Sequence, residues 1–282
     1  MIQLNKYKNH LTILLLLILF VGCEDVIQVN LNSTDPQIVL EANINDELNI
    51  STLKITQSTD FYNPGQYEGI EGAVVTISDE NGNSEMMHGF SDGSYQTDLI
   101  IGRPNTKYFL KVEVDGKTYL AESSMPNRTQ IDSLSVEEAK NRPGGEDGNV
   151  RYILHVYFVD EANIDNYYRF KIYAHGVVMP GFIIFNDKYS DGNEIDGRLI
   201  IDSETFPVSK GDVVTVELQS ISEDVYYFYK TANGVNASGT TNGGQPQSTS
   251  VAPTNPESNW DNNALGYFSA YSSSKKDIVL SD

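Results

Sequence analysis

Cysteine is nearly absent: Cys23 is the only one in 282 residues. No disulfide can form within the chain, so the fold must rest on its packed core. Positive charge is scarce as well. Nineteen Lys and Arg stand against 39 Asp and Glu, for a formal net charge of −20. A chain this acidic has no basic footprint for nucleic acid or for an anionic lipid surface. Its charge suits cationic or calcium-bridged partners, or a plainly solvated surface. Histidine is limited to His10, His88, His155 and His175, none of them in an H-x-x-x-H or H-E-x-x-H pattern. Zinc needs three or four converging ligands, and nothing in the spacing supplies them. His155 alternates with apolar neighbours and reads as a half-buried structural residue. Long apolar runs are missing too. Leu11 to Val21 is short of the about 20 apolar residues that cross a bilayer.

That run is informative nonetheless. Lys6 and Lys8, with no acid, precede it, and Gly22 and Cys23 close it. A basic start, a short apolar stretch and a small residue describe a secretory signal peptide over residues 1–22. Phe20-Val21-Gly22-Cys23 resembles the bacterial lipobox, in which the chain is cut before a cysteine that receives diacylglycerol and acyl chains. The resemblance implies lipidation of Cys23, and no cofactor is expected beyond that covalent lipid. Each buried CH₂ contributes about 0.8 kcal/mol and one chain anchors only marginally, so two or three chains hold the protein stably at a membrane surface. Glu24-Asp25 resembles the signal that sends Bacteroidota lipoproteins to the outer face of the outer membrane. The expected location is therefore the outer membrane, lipid-anchored and facing the exterior, with residues 23–36 as a tether.

Beyond the tether the hydropathy alternates with a period of two, broken by turn residues at short intervals, which argues for antiparallel sandwiches. Residues 37–126 read as a first β-sandwich domain. Strands are expected at 37–44, 53–57, 73–78, 95–101, 108–114 and 117–122, with turns at Asn81-Gly82 and Asp115-Gly116. Residues 127–149 read as linker and loop. A second β domain spans 150–282, with strands at 150–160, 167–174, 182–185, 198–202, 212–220, 263–272 and 278–280. One helix is expected over 222–233, with Ser222 as N-cap and acids in the first turn. Residues 233–259 are a low-complexity loop, too poor in apolar residues to order by packing.

Several of these stretches together resemble a Bacteroidota group of outer-membrane lipoproteins catalogued as a domain of unknown function (four-two-four-nine). They include Cys23-Glu24-Asp25-Val26-Ile27, Pro36 to Ala42, Ala73 to Ile77 with Gly93-Ser94-Tyr95, and Tyr108 to Ala121. Met125-Pro126, Ile131 to Leu134, Tyr167-Tyr168, Lys210-Gly211-Asp212 and Asn262 to Ser269 complete the set. The resemblance covers nearly all of the chain after Cys23. It implies an all-β protein: an immunoglobulin-like or carboxypeptidase-regulatory-like sandwich followed by a β-sandwich-like domain with one short helix. It also implies a TonB-dependent outer-membrane transporter as a frequent genomic neighbour, and so as a candidate partner. The group has no agreed activity and no catalytic residues to carry over.

Four further features invite chemistry. Gly89-Phe90-Ser91-Asp92-Gly93 fits G-x-S-x-G, but that motif needs a strand before it and a helix after it. Here a strand follows, and a hairpin turn fits better. Asp187 to Gly197 is the most acidic loop. Asp187, Asp191, Asn193, Glu194 and Asp196 have the oxygens a calcium ion takes, six to eight of them. The alternative is a polar hairpin between Phe185 and Leu199 with turns at Asp191-Gly192 and Asp196-Gly197. Asp132-Ser133-Leu134 resembles the O-glycosylation site of exported Bacteroidota proteins, with Ser133 as acceptor in the linker, or else is a short linker strand. Trp260, in a polar loop, either offers a ring for a sugar or folds back over the second sandwich. The expected function is a non-enzymatic accessory or ligand-binding subunit of a nutrient transporter. A structural or adhesive module is the second reading, and a hydrolase using Ser91 the third.

Overall fold

A computed structural model of the chain describes residues 35–47, 51–59, 67–139, 150–236 (side chains to 232) and 256–281. The signal segment, Cys23, the tether before Asp35 and most of the low-complexity loop lie outside the described residues. From Pro36 onward the described elements belong to one compact unit. It is mostly β, with sixteen strands and one helix among the described residues.

Strands β1 (Ile38–Asn45), β2 (Thr52–Gln57), β5 (His88–Gly89) and β6 (Ser94–Gln96) form one half of a nine-stranded sheet. Against it lies a four-stranded sheet of β4 (Ser84–Met86), β3 (Val74–Asp79), β7 (Thr106–Val114) and β8 (Lys117–Met125). Alternation sends Leu40, Ala42 and Ile44 from one side and Val75, Ile77, Leu110 and Val112 from the other into a first core. Residues 95–101 yield only the three-residue β6. Asp115 and Gly116 both take positive φ between β7 and β8, as a two-residue hairpin requires.

The second layer pair repeats the scheme. β11 (Tyr167–Ala174), β12 (Val177–Val178), β13 (Ile183–Asn186) and β15 (Val213–Ile221) continue the long sheet. They face β9 (Ser133–Glu138), β10 (Arg151–Val159) and β14 (Glu194–Asp202). Val156, Phe158, Phe170, Ile172, Val216 and Leu218 belong to a second core. Two readings of the chain change here. Residues 133–138, placed in the linker with a short strand at 132–134 as one alternative, are the edge strand β9 because Ser133 to Glu138 pair in register with Tyr152 to Tyr157. Residues 187–193 are no hairpin: β13 pairs with β11 and β14 with β10, so the loop crosses from one sheet to the other.

The last strand, β16 (Leu265–Val279), belongs to both halves. Its first seven residues run parallel to β1, and Ser272 to Val279 run antiparallel to β15. Trp260, Ala264, Phe268 and Ala270 thus pack in the first core, although the sequence spacing grouped them with the second domain, while Tyr267 and Tyr271 pack against the cluster of Ile221, Val225 and Tyr229. Gly266 makes the close approach to β1 possible: its φ is 96°, and a Cβ there would stand 2.2 Å from the Leu40 carbonyl oxygen. Buried serines stitch residues 126–132 to the sheet at this junction. Ser272 Oγ donates to the Pro126 carbonyl (3.0 Å) and Ser274 Oγ to that of Thr129 (2.8 Å).

Helix α1 (Glu223–Asn236) follows β15 and lies on the outer face of the long sheet. Glu223 and Asp224 suit the positive end of its dipole. The Ser222 carbonyl accepts the first helical bond, from Tyr226 N–H (3.0 Å), but its hydroxyl caps nothing and has no hydrogen-bond partner. Val225 and Tyr229 pack the helix onto Ile221. No helix among the described residues is long and apolar enough to cross a membrane.

Candidate functional site

The outer face of the four-stranded sheet carries a groove of about 670 Å³, within the size of a small-molecule site. Alternation directs Phe109 and Leu120 away from the core, and they stand 38% and 49% exposed. Register puts Leu120 beside Lys111 and Phe109 beside Glu122. Thr76 and Ser78 add hydroxyls from β3, and residues 258–261 wall the other side. That wall is bound to the edge of β8. Asp261 accepts from Leu120 N–H (2.7 Å) while its own N–H donates to the Leu120 carbonyl (3.0 Å). The Asn259 amide both donates to and accepts from the Phe268 backbone at 2.8 Å. The groove therefore has an apolar floor, a charged rim and a wall fixed by backbone bonds.

Trp260 stands in this wall, but not as an exposed platform. It is 6% exposed, sits in the first core, and donates Nε1–H to the Leu40 carbonyl at 3.0 Å. A large ring with one satisfied donor fills the opening between the two sheets, so the polar loop around it gave a false impression of exposure. It folds over the first sandwich, not the second. The apolar surface of the groove comes instead from Phe109 and Leu120. The period of two in β7 and β8 puts both on the face opposite the core residues, and that was the available signal.

The acidic-loop residues separate into two places. Asp187 and Asp191 converge with Asp160, each offering an oxygen within 4.8 Å of the others. Three such carboxylates are hard-oxygen ligands for a cation. All three also have protein donors. Tyr168 hydroxyl (2.5 Å) and Gly192 N–H (2.9 Å) reach Asp160, Asn166 N–H (2.9 Å) reaches Asp187, and Asn163 N–H (2.8 Å) reaches Asp191. Burial, with Asp160 nearby, pushes the Asp187 carboxyl above its ordinary range. The Asn193 carbonyl accepts from Asp160 N–H (3.1 Å), and its side-chain amide donates to the Asp191 carbonyl (3.1 Å) rather than offering an oxygen to the cluster. Asp196 lies apart on β14, paired with His155 Nδ1 at 2.9 Å, and Glu194 begins that strand. Asp160 lay outside the reading of the acidic loop because it directly follows β10, far from that loop in the chain.

Ser133 is exposed at the start of edge strand β9, next to exposed Asp132. Ser91 occupies a turn between β5 and β6, with Phe90 N–H bonded to the Ser94 carbonyl (2.8 Å). No helix follows it. Lys54 binds both the carbonyl (2.6 Å) and the carboxylate (3.0 Å) of Asp92, and this bond heads the causes that hold the Asp92 carboxyl down at about 2. The turn reading of this segment matches the geometry.

Two packed β-sandwich cores sharing one long sheet, with grooved and polar outer faces, define the class. The chain belongs to the family described as Domain of unknown function (DUF4249), whose model matches residues 24–277. A search of curated proteins finds no match to it.

Proposed function

We propose that this protein is a surface-displayed outer-membrane lipoprotein that captures a ligand for a TonB-dependent nutrient transporter, without catalysing a reaction. The lipid on Cys23 holds the module beside the channel. Tethering raises the local concentration of whatever is bound, which strengthens delivery without any new contact. The observation that carries the binding role is the groove floored by Phe109 and Leu120, apolar side chains turned to water in a sheet whose other face is core. Membership in the family and the lipobox resemblance support the location and the partner.

Deleting the gene is expected to abolish growth on one nutrient. Wild-type protein restores that growth, and a Phe109→Ala/Leu120→Ala double variant does not. Both side chains are partly exposed, so the double variant keeps its fold, checked by circular dichroism. Unchanged growth of the deletion strain on every nutrient of a broad panel counts against capture.

A further inference from the structure

Strand β14 ends the three-stranded sheet, and its outer edge is open. Register sets Glu194 to Asp202 against Val159 to Arg151. Asp160 N–H donates to the Asn193 carbonyl (3.1 Å) and Ser203 N–H to the Val150 carbonyl (3.0 Å), which continues that register at both ends. Hydrogen-bonded pairs alternate along an antiparallel ladder, so Ile195, Gly197, Leu199 and Ile201 bond inward to β10. The backbone N–H and C=O groups of Glu194, Asp196, Arg198 and Ile200 therefore point away from the sheet. Among the described residues, none of the four has a backbone partner on that side. Their side chains are all exposed, while Ile195, Leu199 and Ile201 enter the second core.

An open edge is a template for another strand, and native proteins shorten, cover or charge such edges. The other edge strands follow that rule. β4, β5, β12 and β13 have two to four residues, and β9 has six. β8 is closed at Leu120 by Asp261. β14 has nine residues and no such cover. Charge of one sign would repel a second strand, but β14 carries both signs. His155 Nδ1 holds the Asp196 carboxylate at 2.9 Å, and that side chain is still 48% exposed. Arg198 stands opposite His155, not opposite an acid, and has no ion pair among the described residues.

The order of the charges selects a partner. Opposite charges facing across a ladder favour pairing, and like charges oppose it. A second β14 running antiparallel about a two-fold axis at Gly197 sets Asp196 opposite Arg198 of the other copy, twice. It also sets Glu194 opposite Ile200, twice, and joins outward backbone groups to outward backbone groups. Neighbouring registers fail. An axis at Arg198 or Asp196 sets that residue against itself. An axis at Ile195 sets Glu194 against Asp196, and one at Leu199 sets Asp196 against Asp202.

We propose that the edge of β14 is a homodimer interface. A second copy of this chain adds its own β14 in antiparallel register about Gly197, which joins two three-stranded sheets into one continuous sheet. The pairing uses neither the groove nor Phe109, so it stands apart from ligand capture.

The test is sedimentation velocity of the purified full-length lipoprotein in density-matched detergent, over a range of protein concentrations. A reversible monomer–dimer equilibrium is expected. Arg198→Glu sets acids opposite each other on both sides of the axis, and Asp196→Arg sets cations there. Each variant alone is expected to dimerise at least tenfold more weakly than wild type. Mixed in equal amounts, the two variants regain both pairs: native Asp196 of one faces native Arg198 of the other, and the two substituted positions face each other with opposite sign. The mixture is expected to dimerise as wild type does. Both side chains are exposed, so each variant keeps its fold, checked by its Tm. A wild-type chain that stays monomeric at every concentration, a variant that dimerises alone as wild type does, or a mixture that stays monomeric overturns the proposal.

Discussion

Trp260 is the only tryptophan, and its burial makes the folded state visible in fluorescence. The native emission maximum is expected well to the blue of that in denaturant. Trp260→Ala should cost about 3–5 kcal/mol in urea unfolding, as large-to-small core changes do. Gly266→Ala is expected to destabilise by about 1–3 kcal/mol, because a positive φ and the Leu40 carbonyl both oppose a side chain there. Lys171 behaves in the opposite sense. A base with a lowered folded pKa contributes stability above its unfolded pKa and loses it as pH falls through the folded one. At neutral pH its charge is therefore a burden, and Lys171→Met should raise Tm, as thermal unfolding at pH 7 would read. At this scale, legibility followed local chemistry. The turns at Asn81-Gly82 and Asp115-Gly116 were readable because their residue types favour positive φ. The row of Arg169, Gln219 and Ser273 was not, because only strand register across three strands lines them up.

Among the elements, β16 was the hardest to read. Its middle, Ser272-Ser273-Ser274-Lys275-Lys276-Asp277, is polar enough to look like a break between two short strands. The serines serve the junction instead, holding residues 126–132 by side-chain bonds. β9 was legible only as a possible short strand at 132–134, since a half-exposed edge strand carries little apolar pattern. Long alternating strands such as β7, β8, β10 and β11 were plain in the sequence, as was α1 from its first-turn acids and helical spacing, although the expected Ser222 cap does not form. The acid cluster depends on a loop crossing between sheets, which no linear spacing encodes. Its electrostatics are testable. Asp187 has a raised folded pKa, so its contribution is fully present below the unfolded carboxylate pKa and is lost as pH rises through the folded one. Asp187→Asn is expected to raise Tm at pH 7.5 and to lose that advantage on acidification toward pH 4. An unchanged or lower Tm at pH 7.5 would mean that the carboxylate charge is compensated.

For the whole molecule, one long strand and one long sheet run through both cores. Unfolding either half breaks the ladder that the other shares. A single calorimetric transition with equal calorimetric and van't Hoff enthalpies is expected, and two resolved transitions would show the halves to be independent. The most direct test of the capture role is mild-detergent purification of the tagged full-length chain from its native outer membrane, with mass spectrometry of the N-terminal peptide and of everything that copurifies. The expected result is a lipid-bearing Cys23 at the mature N-terminus together with a TonB-dependent barrel in stoichiometric amount. A lipidated protein recovered alone would contradict the transporter role and favour an adhesive or structural module. An unmodified Cys23 would contradict the anchoring on which the proposed function depends.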